Sequence, residues 1–327
     1  MTVRINRRHF TAGLAGAIAA PALIGRAHAQ GLTLRYANAT GDQAITNKFA
    51  AKLLQTVEER TNGEIRGQLL LNNGSEQSIV EGVSVGTLDM CNSGYSGLRE
   101  YDVFYTPTLL TDLDHAYRVS RSPLAQKAAE AARERYNVRV IGLGSSGSFL
   151  IGVKDGVEAW DGLSERKIRI PPFESYSEAA DLLGFAATPV PFNEVYLALQ
   201  QNLVEGLITL LNVMLSSKFV EVCDNVISTD FGVGMEKFFM NENSWNRMTP
   251  QQQEIFQGTY DDLVVEHYFG AAKRQTAADF ETWEELNGAG TVIHLDGAEL
   301  ATTMEPLTKR FADEVFGEGA FEQIRSA

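Results

Sequence analysis

Cysteine and histidine are scarce in this 327-residue chain: there are two cysteines, Cys91 and Cys223, and five histidines. That scarcity excludes a disulfide-stapled fold, and neither residue type shows metal-ligand spacing. Each cysteine sits in an apolar-flanked stretch (LDMCN and VEVCDN), so two buried free thiols are expected rather than a bridge. Basic residues are also few, 28 lysines and arginines against 42 acids, for a formal charge of −14. This acidic balance argues against nucleic acid and anionic membrane surfaces as partners. An anionic ligand would need a local positive site. Repeats and low-complexity tracts are lacking. Beyond residue 29 no stretch offers about 18 uninterrupted apolar residues. Even Tyr196 to Leu215 is broken by Gln200, Gln201, Asn202 and Glu205. A soluble mature protein is therefore expected.

Catalytic signatures are missing as well. There is no G-x-S-x-G elbow and no Ser-His or Cys-His arrangement. The run Gly142 to Gly147 (GLGSSG) lacks both the G-K-[ST] ending of a phosphate loop and the G-x-G-x-x-G spacing. No cofactor is implied, and the chain does not read as an enzyme.

The N-terminus is distinctive. Arg4, Arg7 and Arg8 precede an apolar run, Thr11 to Ile24, too short to span a bilayer, and Ala27-His28-Ala29 is a small-x-small cleavage site. Residues 1–29 are read as an export signal, and Asn6-Arg7-Arg8-His9-Phe10 is similar to a twin-arginine motif. The segment's charges are all arginines, so the processed chain is more acidic still. A periplasmic location follows.

Strand and helix patterns alternate through the rest, the mark of an α/β chain. Strands are expected at Leu32 to Asn38, Ile65 to Leu71, Leu88 to Cys91, Val138 to Leu143, Phe238 to Asn243 and Val292 to Leu295. Helices are expected at Ile45 to Arg60, Ser78 to Gly86, Pro123 to Tyr136 and Met304 to Phe316. A long helix is expected from Pro250 to Leu286.

The most informative stretch is Lys167 to Gly206. It places Arg169 at the end of a short β-type run, immediately before Pro171 and Pro172. A guanidinium is a planar fork of donors that matches a carboxylate two-to-two and stays charged. On spacing alone, Arg169 could equally be a structural residue paired with a surface acid such as Glu165. Phe-x-Glu-Val-Tyr-x-Ala-Leu-Gln follows from Phe192 to Gln200. In order and spacing this stretch resembles the signature of the TRAP-transporter solute-binding proteins, of the type named for four-carbon dicarboxylates. Asn243-Ser244-Trp245 with Thr249-Pro250-Gln251-Gln252-Gln253, and Asp112 to Ala116, are similar to further family segments.

The resemblance implies a two-lobe periplasmic binding-protein fold with an inter-lobe cleft and a long helix touching both lobes. Lobe I is expected at residues 30–147 plus 233–274, and lobe II at 148–232 plus 275–327. It implies a monomeric receptor that closes on a small-molecule carboxylate and delivers it to TRAP membrane subunits. Arg169 would hold the carboxylate. Phe192 would wall the ligand or pack the core, and Asn38 would offer a polar group or cap a turn. Two departures stand out. Phe149 occupies the place of a second arginine, and Leu207-Ile208-Thr209 replaces Q-E-N. Those changes point away from dicarboxylates and hydroxylated sugar acids, toward a smaller or more apolar monocarboxylate. Glu174 or Tyr176 could compensate, and Tyr95, Ser145, Ser146 and Ser148 could line the cleft. A binding protein of an ATP-driven transporter and an exported α/β enzyme are the competing readings.

Overall fold

The computed structural model describes residues 31–229 and 231–327. The expected export segment, residues 1–29, lies outside the described residues. Among those described, eleven strands run in chain order: β1 (Leu32–Ala37), β2 (Ile65–Leu70), β3 (Met90–Ser93), β4 (Val138–Gly144), β5 (Phe149–Val153), β6 (Lys167–Ile170), β7 (Ala186–Pro189), β8 (Gly206–Leu210), β9 (Asn225–Ser228), β10 (Glu236–Asn241) and β11 (Val292–His294). They form two separate sheets. One has the order β2-β1-β3-β10-β4, the other β11-β9-β5-β8-β6-β7.

The first sheet opens as β-α-β-α-β. Strand β1 pairs in parallel with β2 and β3. Helix Ile45–Arg60 buries Phe49, Leu53 and Val57 along one stripe, as their four-residue spacing requires. Asn62 and Gly63, both at positive φ, turn the chain back after it. The next helix starts at Glu76, two residues before the expectation, because the Ser75 side chain caps the Ser78 N–H. That start carries Glu76 into the first turn.

In the second sheet, side chains of β5 alternate. Phe149, Ile151 and Val153 enter one core and Leu150 the other. Both faces are covered, which accounts for strands that read as continuous apolar runs. Cys91 and Cys223 are buried free thiols in different cores, as expected.

A long helix carries the chain from β10 in one sheet to β11 in the other, and two extended connections, from β4 to β5 and from β9 to β10, also pass between the sheets. These two connections run side by side, joined by an antiparallel bridge between Ser148 and Val233 and by the Phe149 N–H donating to the Gly232 carbonyl at 2.8 Å.

The long helix is Pro250–Val264, a π turn at Val265–Phe269, then Gly270–Asn287. Thr249 and Gln252 close a capping box at its start. Phe256, Tyr260 and Tyr268 pack on the first sheet's core, while Trp283 enters a core of the second. One helix therefore contacts both lobes. The C-terminal helix, Gly297–Phe316, begins seven residues before Met304, where Asp296 caps it. Pro306 lies inside it. Leu300 and Met304 join the second sheet's core. Leu307 and Phe311 join the first's.

Candidate functional site

Strand β6 ends in a cleft between the sheets. Ile168 and Ile170 are buried in the second core, and alternation turns Arg169 to the opposite side. Pro171 then stops the strand. In open α/β sheets, crevices beyond the carboxyl ends of strands are the usual ligand sites.

Arg169 is 4 % exposed. Its Nε donates to the Val190 carbonyl at 3.0 Å and its Nη1 to the Ile208 carbonyl at 3.2 Å. Nη2 has no partner among the described residues, and no carboxylate forms an ion pair with the group there. The alternative partner, Glu165, is exposed on the surface. Burial pulls the Arg169 pKa down to about 10, against the opposing pull of Glu76. The group stays cationic at neutral pH. A buried cation that lines a cavity, held by two carbonyls and with one nitrogen unpartnered among the described residues, can take a carboxylate.

The cleft's empty volume, mouth included, is ≈ 660 Å³. Of the expected residues, Asn38, Phe149, Arg169, Phe192 and Thr209 all line it. Asn38 comes from the first sheet, the others from the second. Asn38 also caps a turn: its Oδ1 accepts from the Thr40 N–H at 2.8 Å, and its Nδ2 donates to the Asn92 carbonyl at 2.8 Å. Phe192 is half-buried and touches all three cores, so wall and packing are one role. Tyr95 lines an adjoining hollow that shares Arg169, Glu76 and Phe192 with the main cleft.

Other expected residues are elsewhere. Glu174 is largely exposed, with its carboxylate 3.5 Å from Arg99, so it does not reach the cleft. The start of its helix turns it outward. Tyr176 is fully buried among Phe149, Phe173 and Phe231, behind the cleft wall. Ser145 bonds to Gly147 and Ser146 to Glu236, and neither lines the cavity.

Sequence reasoning missed the acids. Glu76 lines the cleft, its Oε1 accepting from Ser93 Oγ and the Gly94 N–H, each at 2.8 Å. Glu236 lines it too, its Oε2 accepting from Ser146 Oγ at 2.8 Å and from the Tyr268 hydroxyl. Burial pushes the Glu236 carboxyl up to about 7. Lys237 points to the other face of β10, donates to the Gly94 carbonyl and lies 4.3 Å from the Tyr105 ring centroid. A visible signal existed: two charges inside the otherwise apolar run Phe231 to Met240. Tyr105 and Phe173, stacked at 4.8 Å, complete an aromatic wall.

Two lobes meeting at a cleft with a buried cation define a ligand-binding protein of the two-lobe class. The model of the bacterial extracellular solute-binding proteins, family 7, matches residues 36–314, and the chain belongs to that family. It is 24% identical over 280 residues to the sialic acid-binding periplasmic protein SiaP of Vibrio cholerae, covering 83% of this chain and 86% of that one. It is 26% identical over 278 residues to the ectoine/5-hydroxyectoine-binding periplasmic protein UehA of Ruegeria pomeroyi, covering 81% and 80%. Among solved structures, a TRAP periplasmic solute-binding protein from Bordetella superposes with a TM-score of 0.83 at 22% identity, covering 90% of this chain and 98% of that one.

Proposed function

We propose that the chain is the extracytoplasmic receptor of a TRAP transporter, capturing a small organic acid whose carboxylate is held by Arg169. The observation that carries this reading is the buried guanidinium, anchored by two carbonyls and without an anionic partner among the described residues. Lobe closure about the paired crossovers would enclose the acid, and the closed form would dock as a monomer on the membrane subunits. Ligand shifts such an equilibrium only by its differential affinity for the open and closed states. The relatives are solute-binding proteins, and the Bordetella protein carries density assigned to pantoate. No helix among the described residues is long and apolar enough to cross a membrane, which suits a periplasmic receptor.

The test is a thermal-shift screen of the purified protein against small carboxylates and their amides. A ligand at a hundred times its Kd stabilises the folded state by about 2.7 kcal/mol. A rise with an acid and none with its amide supports carboxylate capture. A rise with only sugars or peptides sinks it.

A further inference from the structure

Arg169 explains one end of the ligand, and the acids opposite it bear on the other. Three groups around the cleft have atoms without partners among the described residues. They are Nη2 of Arg169, Oε2 of Glu76 and Oε1 of Glu236. The second oxygen of each carboxylate is already tied down, that of Glu76 by Ser93 and the Gly94 N–H at the cleft, that of Glu236 by Ser146 and Tyr268 behind it. Both acids are thus held in place with one oxygen each to spare.

Between these ends one wall is apolar, built from Tyr105, Phe149, Phe173, Phe192, Ile208 and Val213, while Asn38, Thr40, Thr46, Asn92, Ser93 and Thr209 line the rest of the cleft. A heavily hydroxylated chain would leave without partners the hydroxyls it turns toward these rings. A dicarboxylate would bring a second carboxylate beside two acidic side chains, with no cation against either among the described residues. Lys237 is fully buried on the opposite face of β10, where Asp102 is its first charged neighbour, ahead of Glu76 and Glu236, and it makes no ion pair with either cleft acid. Desolvation has already raised the Glu236 carboxyl, as expected of an acid with no cation directly against it.

We propose that the ligand is a small zwitterion, its carboxylate on Arg169 and a protonated nitrogen held between Glu236 and Glu76. This inference rests on the carboxylate reading of Arg169. The class includes amino acids with a compact apolar skeleton and cyclic acids bearing an amidinium. The ammonium or amidinium donates to the two spare oxygens and neutralises charge that a hydroxyl would only hydrogen-bond. The aromatic wall covers the skeleton between the two ends.

The experiment is a melting-point and calorimetric screen of the purified protein with matched compounds. Each amino acid or cyclic amidinium acid is paired with the same skeleton lacking the nitrogen, and hydroxy acids and dicarboxylates are included. The expected result is a melting-point rise with a zwitterion, and an affinity at least about tenfold weaker for its nitrogen-free partner. Glu236→Gln should weaken the zwitterion by about tenfold or more, and by clearly more than it weakens the nitrogen-free acid. Glu76→Gln, at a half-exposed helix start, provides the same test should Glu236→Gln not fold. Equal affinity for the paired compounds, or binding of hydroxy acids or dicarboxylates alone, overturns the zwitterion and leaves the carboxylate receptor standing. A protein that answers to no acid in the panel overturns both.

Discussion

Ser146 Oγ donates to the buried carboxylate of Glu236 at 2.8 Å. Ser146 lies on the first passage between the sheets and Glu236 begins the strand after the second. The Tyr268 hydroxyl of the long helix donates to the same oxygen. One carboxylate thus ties together both connections between the lobes and the helix that spans them. It also borders the cleft, so the cavity and the connections between the sheets share an electrostatic neighbourhood.

That carboxylate sets a pH dependence. Glu236 rises from 4.5 to about 7 on folding, chiefly by desolvation, so between those values the native state binds more protons than the unfolded one. Its contribution to stability therefore falls as pH rises, by up to roughly 1.4 kcal/mol per unit. Lys237 drops from 10.5 to about 8 by burial, against Asp102, Glu76 and Glu236, and gives the opposite slope above pH 8. Asp102 is also raised by burial, which adds to the Glu236 slope. Urea unfolding of the apo protein should show a local minimum in stability near pH 7 to 8. Glu236→Gln should flatten the acid limb; an unchanged limb would show that Glu236 is not responsible.

Arg169→Ala should abolish acid binding. Losing one partner of a buried charge pair costs roughly 2–5 kcal/mol, about 30-fold to several thousand-fold in Kd. Folding should change less. The carbonyls of Val190 and Ile208 lose donors, but a buried cation without a counter-charge disappears with them. Arg169→Lys should also bind poorly, because an ammonium cannot reach both carbonyls and still present a fork. Calorimetry on the two variants decides; tight binding by either removes Arg169 from the site.

Phe192→Ala separates wall from packing. The ring is half-buried, so its removal should destabilise the apo protein by about 1–2 kcal/mol, less than a fully buried phenylalanine. If the ring covers the ligand, Kd should rise by about tenfold or more. A lower melting point with unchanged Kd would assign it to packing alone.

Gly142 and Gly144 mark where the long helix lies directly on β4. A Cβ at either position would overlap the Tyr260 or Tyr268 ring. Gly142→Ala and Gly144→Ala should each lower stability by about 1–3 kcal/mol. Only Gly144→Ala, displacing Tyr268, should also disturb Glu236 and so shift the acid limb of the pH profile. Comparing urea midpoints at pH 5 and pH 7 checks this.

Much of this architecture was legible locally. Helix Ile45–Arg60 and the helix starting at Pro123 fall where periodicity and capping put them, because a stripe and a stop are written in neighbouring residues. Arg169, followed by two prolines, was visible as a cation at a strand end. Tertiary contact overrode the local signal in the C-terminal helix. A start at Met304 was expected, but burial of Leu300 and Met304 on one core and Phe311 on the other holds one continuous helix from Gly297. Glu174 looked equally available to the cleft, and only the direction of its helix turned it toward Arg99.

By itself the sequence determined the element types, the two free thiols and the presence of a single placed cation, since these depend on residues near one another in the chain. Only the tertiary structure decided that Glu76 and Glu236, 160 positions apart, face the same cavity as Arg169. Their meeting depends on two crossings between sheets and on a helix packed over both. No local pattern encodes where three charges converge, because each is positioned by the folding of a different part of the chain.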